Sequence, residues 1–124
     1  MTMKTIRLEL ARTKENPMGD SNHAYEFRAP LDASGHLDKD QWPNQKALCT
    51  VRRIEDGVDV ERGLLIHTRG GKWMFSYAPG EDDDEAIFRF SSHAFTPGEY
   101  VSVTEHDGEQ RTFKVVSVVD WHLQ

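Results

Sequence analysis

The chain has 124 residues, a length typical of one domain, and 37% of them are hydrophobic, which is enough for a modest core. Its formal net charge is −6, and the surplus lies late in the chain: residues 1–80 carry 12 basic and 11 acidic side chains, whereas residues 81–124 carry 3 and 10. This balance disfavours a nucleic-acid-binding protein, which needs cations to replace phosphate counterions, and the single cysteine excludes both an intrachain disulfide and a cysteine-based zinc cluster.

Two strands are predicted before residue 30. In "TIRLEL" the residues Ile6, Leu8 and Leu10 share one face, and in "AYEFRA" Tyr25 and Phe27 do the same. Alternation with a period of two is the pattern of a half-buried strand. No run reaches the roughly 18 apolar residues that a membrane span needs, so we expect no membrane association and a cytoplasmic location.

The stretch from 30 to 46 interrupts this alternation. Pro30, Gly35 and Pro43 break regular structure. Asp38 is placed to cap a short helical turn that runs through Trp42. The length of the stretch suits a crossover that closes a sheet into a barrel, or a lid over one barrel end.

Four alternating runs predict an antiparallel four-strand meander from about residue 46 to about residue 91. "EDGV" (55–58) and "RGGK" (69–72) hold the dipeptides that accept positive φ angles in tight hairpin turns. His67 is out of phase with the apolar face of its run and is expected to point outward. The predicted inward residues are Ala47, Cys49 and Val51; Val58, Val60, Leu64 and Ile66; Trp73, Phe75 and Tyr77; and Ala86, Phe88 and Phe90.

A final hairpin is predicted from about residue 99 to about residue 119, with its turn at "HDGE". Its inward residues are Val101, Val103, Phe113, Val115 and Val119. Together these elements predict an all-β fold for a single domain of residues 1–124. We expect a small antiparallel barrel or rolled sheet of about six to eight strands.

The acidic run Glu81–Glu85 falls at the tip of a predicted meander hairpin. Its carboxylates are consecutive, whereas a calcium loop of the EF-hand type spaces its ligands at alternating positions. We interpret the run as a solvated turn that deters aggregation, and we predict no metal site and no cofactor. Cys49, inside a predicted strand, is expected to be a buried and unreactive thiol.

Arg62 is the residue that fits its strand least well. If the parity of Val58 and Val60 continues, Arg62 faces inward, where it needs a partner and could clasp a carboxylate or phosphate. Alternatively, Gly63 marks a β-bulge that turns Arg62 outward, and we favour this second interpretation.

The sequence contains no recognisable catalytic motif, so it favours a non-catalytic binding module for a small acidic ligand or a protein partner. The partner is not predictable from the sequence, and we expect a monomer or weak dimer. One alternative is a small enzyme that uses His93 with a nearby carboxylate such as Glu99, and another is an interaction domain whose acidic last third meets a basic partner. The candidate ligand-binding residues are Arg62, Trp73, Tyr77, Trp42 and His93.

Overall fold

The described residues of the chain form eight β-strands. The computed structural model describes residues 3–12, 17, 19–67, 73–77, 85–88, 94–105 and 108–121, with the backbone alone for 85–88. The strands are β1 (Met3–Leu10), β2 (Asp20–Pro30), β3 (Thr50–Glu55), β4 (Val58–His67), β5 (Trp73–Tyr77), β6 (Glu85–Phe88), β7 (Tyr100–Thr104) and β8 (Gln110–Asp120). Helical structure in these ranges is limited to the 3-10 helices Trp42–Asn44 and Lys46–Leu48, and neither has the length or apolarity to cross a membrane.

The strands close into a barrel whose spatial order is the chain order. Each strand pairs antiparallel with the next, and β8 returns to pair with β1. An ion pair between Lys4 and Asp120 lies at this seam. The predicted all-β antiparallel barrel is confirmed, with β3–β6 as the four-strand meander and β7–β8 as the final hairpin.

The turn between β3 and β4 follows directly from the dipeptide Asp56–Gly57. These residues have φ angles of 53° and 78°, so both are in the left-handed region. Two consecutive positive φ angles give the hairpin turn whose twist matches that of the flanking strands. Glycine adopts this conformation without steric cost and aspartate tolerates it, which confirms the predicted hairpin.

Aromatic side chains fill the interior of the barrel. Tyr25 stacks on Phe75 with ring centroids 5.0 Å apart, and it meets Phe113 edge-on at 5.1 Å. Phe27 packs on Phe75 at 5.2 Å and on Phe95 at 6.0 Å. The predicted inward residues that are no more than 2% exposed are Ile6, Leu8, Tyr25, Phe27, Cys49, Val51, Trp73, Phe75, Tyr77, Val101, Val103, Phe113 and Val115.

The predicted inward face of β4 is wrong. Val58, Val60 and Leu64 are 62%, 44% and 40% exposed, whereas Leu65 is fully buried. The reason is the register with both neighbouring strands, because Gly63 lies opposite two inward residues on β3 and β5. The inward parity therefore runs through Gly63 and Leu65, which also brings His67 against the core instead of outward: its ring lies 4.4 Å from that of Trp73.

A bulge does occur in β4, but at Val60 rather than at Gly63. Arg53 pairs with Glu61, whereas the next residue, Ile54, pairs with Asp59. Val60 is therefore the extra residue that faces no partner of its own. Such a bulge changes the parity of the strand, so Asp59 joins the outer face.

Two further predictions, the start of β3 and the orientation of Val119, differ from the structure. The strand expected from about residue 46 begins at Thr50, because the 3-10 helix Lys46–Leu48 precedes it and leaves Ala47 exposed. Val119 is 54% exposed because the register of β8 with β1 shifts by one residue at Val116, which turns the end of β8 over.

Several predictions fall outside the described residues. These are the "RGGK" turn, the first two residues of the "HDGE" turn, the placement of His93 and the acidic run, of which only the backbone of Glu85 is described. The inward residues expected in and after β6 also lie outside, since no side chains are described there.

The segment 31–49 packs onto the core at the barrel end where β2 finishes and β3 begins. Asp38 caps its helical turn as predicted, because one carboxylate oxygen accepts the backbone N–H groups of Asp40 and Gln41 at 3.0 and 3.2 Å. Trp42 donates its indole N–H to the carbonyl oxygen of Leu65 at 2.9 Å. We refer to this segment as the lid, since its apolar side chains cover that end of the core.

Candidate functional site

The outer face of the barrel carries a row of residues that crosses five strands. Cross-strand pairing aligns Val119 of β8 with Thr5 of β1, and Thr5 with Arg28 of β2. The register between β2 and β3 puts Thr50 beside Arg28, and Thr50 pairs in turn with Leu64 of β4. We call this set the outer row; it has an arginine at its centre and an apolar residue at each end.

A second, parallel row is held together by ion pairs. Glu26 accepts hydrogen bonds from Arg7 at 3.3 Å and from Arg52 at 3.1 Å. Arg52 also donates to Asp59 at 3.0 Å, and Arg62 donates to the same carboxylate at 3.1 Å. The hydrogen bond from Arg52, together with that from Arg62, holds the pKa of Asp59 below its ordinary value. These carboxylates are therefore already neutralised by arginines.

An open groove lies between the two rows. The side chains of three arginines and one glutamate line it: Arg28, Arg52, Arg62 and Glu26. Thr5 and Thr50 add two hydroxyl groups, which can donate to an anion. We call this feature the arginine groove, and its chemistry suits a carboxylate or a phosphate.

Two of the groove arginines keep donors available to a ligand. The Arg62 side chain is 78% exposed, and among the described residues its only ion pair uses one terminal nitrogen, on Asp59. Arg28 pairs with none of the described carboxylates; its guanidinium lies over the ring of Trp121, 4.5 Å from the centroid. A planar guanidinium presents five N–H donors, so Arg28 and Arg62 can each bind an additional acidic group.

A separate polar cluster lies inside the barrel, at the end opposite the lid. Glu105 is only 3% exposed and receives hydrogen bonds from His23 at 2.9 Å, from the Tyr25 hydroxyl at 2.5 Å and from Arg111 at 2.8 Å. Phe113 lies edge-on to the His23 ring with centroids 5.6 Å apart. The buried carboxylate is thus well satisfied by its own neighbours.

A second buried ion-pair group completes this end of the barrel. Arg53 is 5% exposed and contacts the carboxylates of Glu55 and Glu61. It lies directly opposite Tyr25 in the β2–β3 pairing, so the two groups are neighbours. Among the described residues, these ion pairs therefore lie at the mouth of the barrel. We refer to both groups together as the ionic plug.

The surroundings shift the pKa values of both partners in the ionic plug. Burial by itself raises the pKa of Glu105, but the hydrogen bonds from His23 and Tyr25 outweigh it and hold that pKa below the ordinary value. The hydrogen bond to Glu105 raises the pKa of His23 above its ordinary 6.5, against the opposing effect of burial. Both shifts favour the charged pair.

The alternation of the sequence contains the signal for the ionic plug, although the apolar residues alone did not reveal it. His23 has the parity of Tyr25 and Phe27, and Glu105 has that of Val101 and Val103. Extending the inward face of each strand by one step reaches a polar residue at the same end of the barrel. The same extension on the other strands gives Arg53 after Val51 and Arg111 before Phe113.

The structure separates the ligand-binding residues predicted from the sequence. Trp73 and Tyr77 are buried in the core, and Trp42 belongs to the lid, where it meets Trp73 edge-on at 6.0 Å. Arg62 faces solvent on the outer side of the barrel, which is the orientation we favoured, but the cause is the register of β4 and not a bulge at Gly63. His93, the residue of the enzymatic alternative, lies outside the described residues, so that alternative stays a prediction.

Cys49, the last residue of the lid, is fully buried. Burial raises the pKa of its thiol to about 11, so the thiol is protonated at neutral pH and unreactive. Its Sγ lies 3.4 Å from the carbonyl oxygen of Gln45 and donates to it.

Comparisons with known proteins give no relative from which a site could be transferred. Across the described residues, no three His, Cys, Asp or Glu side chains converge in a way that could hold a metal ion. The comparisons found no protein-family model, curated protein or solved structure that matches the chain.

Proposed function

We propose that the protein is a non-catalytic binding module that takes an acidic group in the arginine groove. The observation that carries this proposal is the exposed Arg62, whose ion pair with Asp59 leaves most of its guanidinium donors directed to solvent. Arg28 and Thr50 lie across the groove from it. The proposal includes a cytoplasmic location, where a thiol such as that of Cys49 stays reduced.

The packing of the barrel interior favours a binding site on the outer face over an enclosed binding site. Small β-barrels either fill their interior with side chains or hold a ligand there. Here Tyr25 contacts both Phe75 and Phe113, and all three side chains are fully buried. The aromatic row that could have lined a pocket is therefore part of the core, and the outer face is the better place for recognition.

The contacts of the ionic plug fit a role in the stability of the fold better than a role in catalysis. A general base needs a nitrogen or oxygen that is ready to accept a proton from a substrate. Glu105 already accepts from three side chains, and both its pKa and that of His23 are shifted toward the charged pair. We therefore assign the plug to the fold and the arginine groove to binding.

The test is an NMR titration of the protein with tricarballylate and, separately, with inorganic phosphate. We expect the amide shift changes to cluster at Thr5, Arg28, Thr50 and Arg62. Substitution Arg62→Ala should weaken the apparent affinity about tenfold, the equivalent of one charge-assisted hydrogen bond. Raising the salt concentration should weaken it too, since the groove is exposed.

Arg12→Ala is the matched control, because Arg12 is an exposed arginine away from the groove. It should leave the affinity unchanged. Shift changes spread over the surface, or equal losses in the two variants, would contradict a specific site in the groove.

A further inference from the structure

We infer that the natural occupant of the arginine groove is an extended acidic segment of a partner protein, about six residues long, with an apolar side chain at each end. This inference rests on the proposed function and names its partner class. The groove by itself accounts for the negative charge of the occupant. The rest of the outer row accounts for its length and for its apolar ends.

The outer row ends in exposed apolar residues on both sides. Val119 is 54% exposed at one end, beside Thr5, and Leu64 is 40% exposed at the other, beside Thr50. Arg28 lies midway between them. Beyond Leu64, the partly exposed Ile66 and Met74 continue the apolar surface onto β5. A ligand along this row meets apolar, basic and again apolar surface in that order.

The spacing of the strands sets the length of the occupant. From β8 to β4 the row makes four steps between neighbouring strands, each about 4.8 Å, so its path along the curved surface of the barrel is about 19 Å long. An extended chain advances about 3.3 Å per residue, so about six residues cover this distance. The central residues of such a segment pass over Arg28, and the residues next to the end at Leu64 are nearest to Arg62.

A compact anion uses this surface poorly. Arg28 and Arg62 are two strands apart and in different rows: the guanidinium of Arg28 lies over Trp121, whereas that of Arg62 is held on Asp59. In this arrangement the two guanidinium groups do not converge on one point, so successive acidic side chains of a peptide suit them better than a single phosphate does. Glu26 does not oppose them, because Arg7 and Arg52 already neutralise it.

Closure of the barrel decides how the segment lies. Peptides often bind to β-proteins by adding a strand to a free sheet edge. The described strands form a closed barrel and offer no such edge. Recognition therefore depends on side chains of the outer face, and the segment runs across the strands instead of along one.

The test measures binding of fluorescein-labelled hexapeptides by fluorescence polarisation. The first probe has leucine at both ends and four acidic residues between; the second has serine at both ends; the third has the two leucines in the middle. We expect the leucine-ended probe to bind about tenfold more tightly than either of the others, because two apolar contacts are gained. Leu64→Ser and Val119→Ser should each weaken that probe about fivefold and leave the serine-ended probe unchanged.

Val58→Ser is the matched control, since Val58 is an exposed valine outside the outer row. It should change no affinity. Equal binding of the three peptides, or of tricarballylate and the leucine-ended peptide, would overturn the inference while leaving the groove as an acidic-group site. If Arg62→Ala also leaves every acidic probe unaffected, the proposed function itself fails.

Discussion

Glu105 is a charged residue in a position where the alternation of β7 would place an apolar one. Its carboxylate is desolvated, yet it keeps its charge because His23, Tyr25 and Arg111 all donate to it. Removing one partner of such a group costs more than the pair contributes, since it leaves a buried charge short of donors. The stability of the protein therefore depends on the protonation of this cluster.

We predict that the contribution of His23 to stability depends on pH with a definite sign. The folded pKa of His23 is raised above its ordinary 6.5, so the stabilisation is complete below that value and is lost as the pH rises through the folded pKa. His23→Gln, which keeps a neutral donor, should lower the free energy of unfolding by about 1 to 2 kcal/mol at pH 5.5 and by less at pH 9. Urea denaturation of both proteins at the two pH values measures this.

Glu105 acts in the opposite direction at lower pH. Its folded pKa is held below the ordinary 4.5, so its contribution is present above that value and disappears as the pH falls through the folded pKa. The cost of His23→Gln should accordingly shrink again in strong acid. A difference between the proteins that is constant from pH 4 to pH 9 would contradict an ionic contact between the two side chains.

At the level of elements, β4 depends on one residue without a side chain. A Cβ atom added at Gly63 would lie 2.0 Å from the backbone oxygen of Ser76 and 2.9 Å from the ring of Tyr77. The glycine is therefore required by the close approach of β4 and β5, and it fixes which face of β4 points inward.

Gly63→Ala should destabilise the protein by about 3 kcal/mol, since the added methyl group meets backbone and one strand has to move. Thermal denaturation followed by circular dichroism measures the loss. Gly108→Ala is the control: Gly108 has a φ of 85° and open space around it, so it reports only the cost of the left-handed backbone, about 1 kcal/mol. Equal losses for the two variants would show that no steric conflict exists at Gly63.

The strands also show how much of the fold and of the candidate site could be predicted from the sequence. Alternation identified the strands and the Asp56–Gly57 hairpin, because both signals are local in the chain. It did not locate the bulges at Val60 and Val116, which depend on the register with another strand and have no local signature here. The exposure of Leu64 and Val119, and hence the outer row, follows from register and could not be derived from the apolar pattern.

For the whole molecule, the decisive feature is the pairing of β1 with β8, which joins the two ends of the sheet. Among the described residues, the apolar side chains of the lid lie at one end of the barrel and the ion pairs of the ionic plug lie at the other. This arrangement is the reason we propose the outer face as the place of recognition.

We predict that amide hydrogen exchange will be as slow in β1 and β8 as in β2 and β3. In a closed barrel the seam strands have a neighbour on each side, so each of their amides has a carbonyl partner, whereas half of the amides in an edge strand of an open sheet point to solvent and exchange early. Exchange followed by NMR at neutral pH measures this, with the amides of the lid as the faster reference. Rapid exchange confined to β8 would show an open sheet.

The chain-order topology also has a consequence for synthesis on the ribosome. Seven of the eight pairings among the described strands join sequence neighbours, but the eighth joins residues as far apart as Lys4 and Asp120. As the nascent chain lengthens, each newly added strand can extend a curved sheet that still has two unpaired edges, and such edges invite aggregation. Only the last strand removes both edges at once, so the interval before β8 emerges is when the protein most needs chaperone protection.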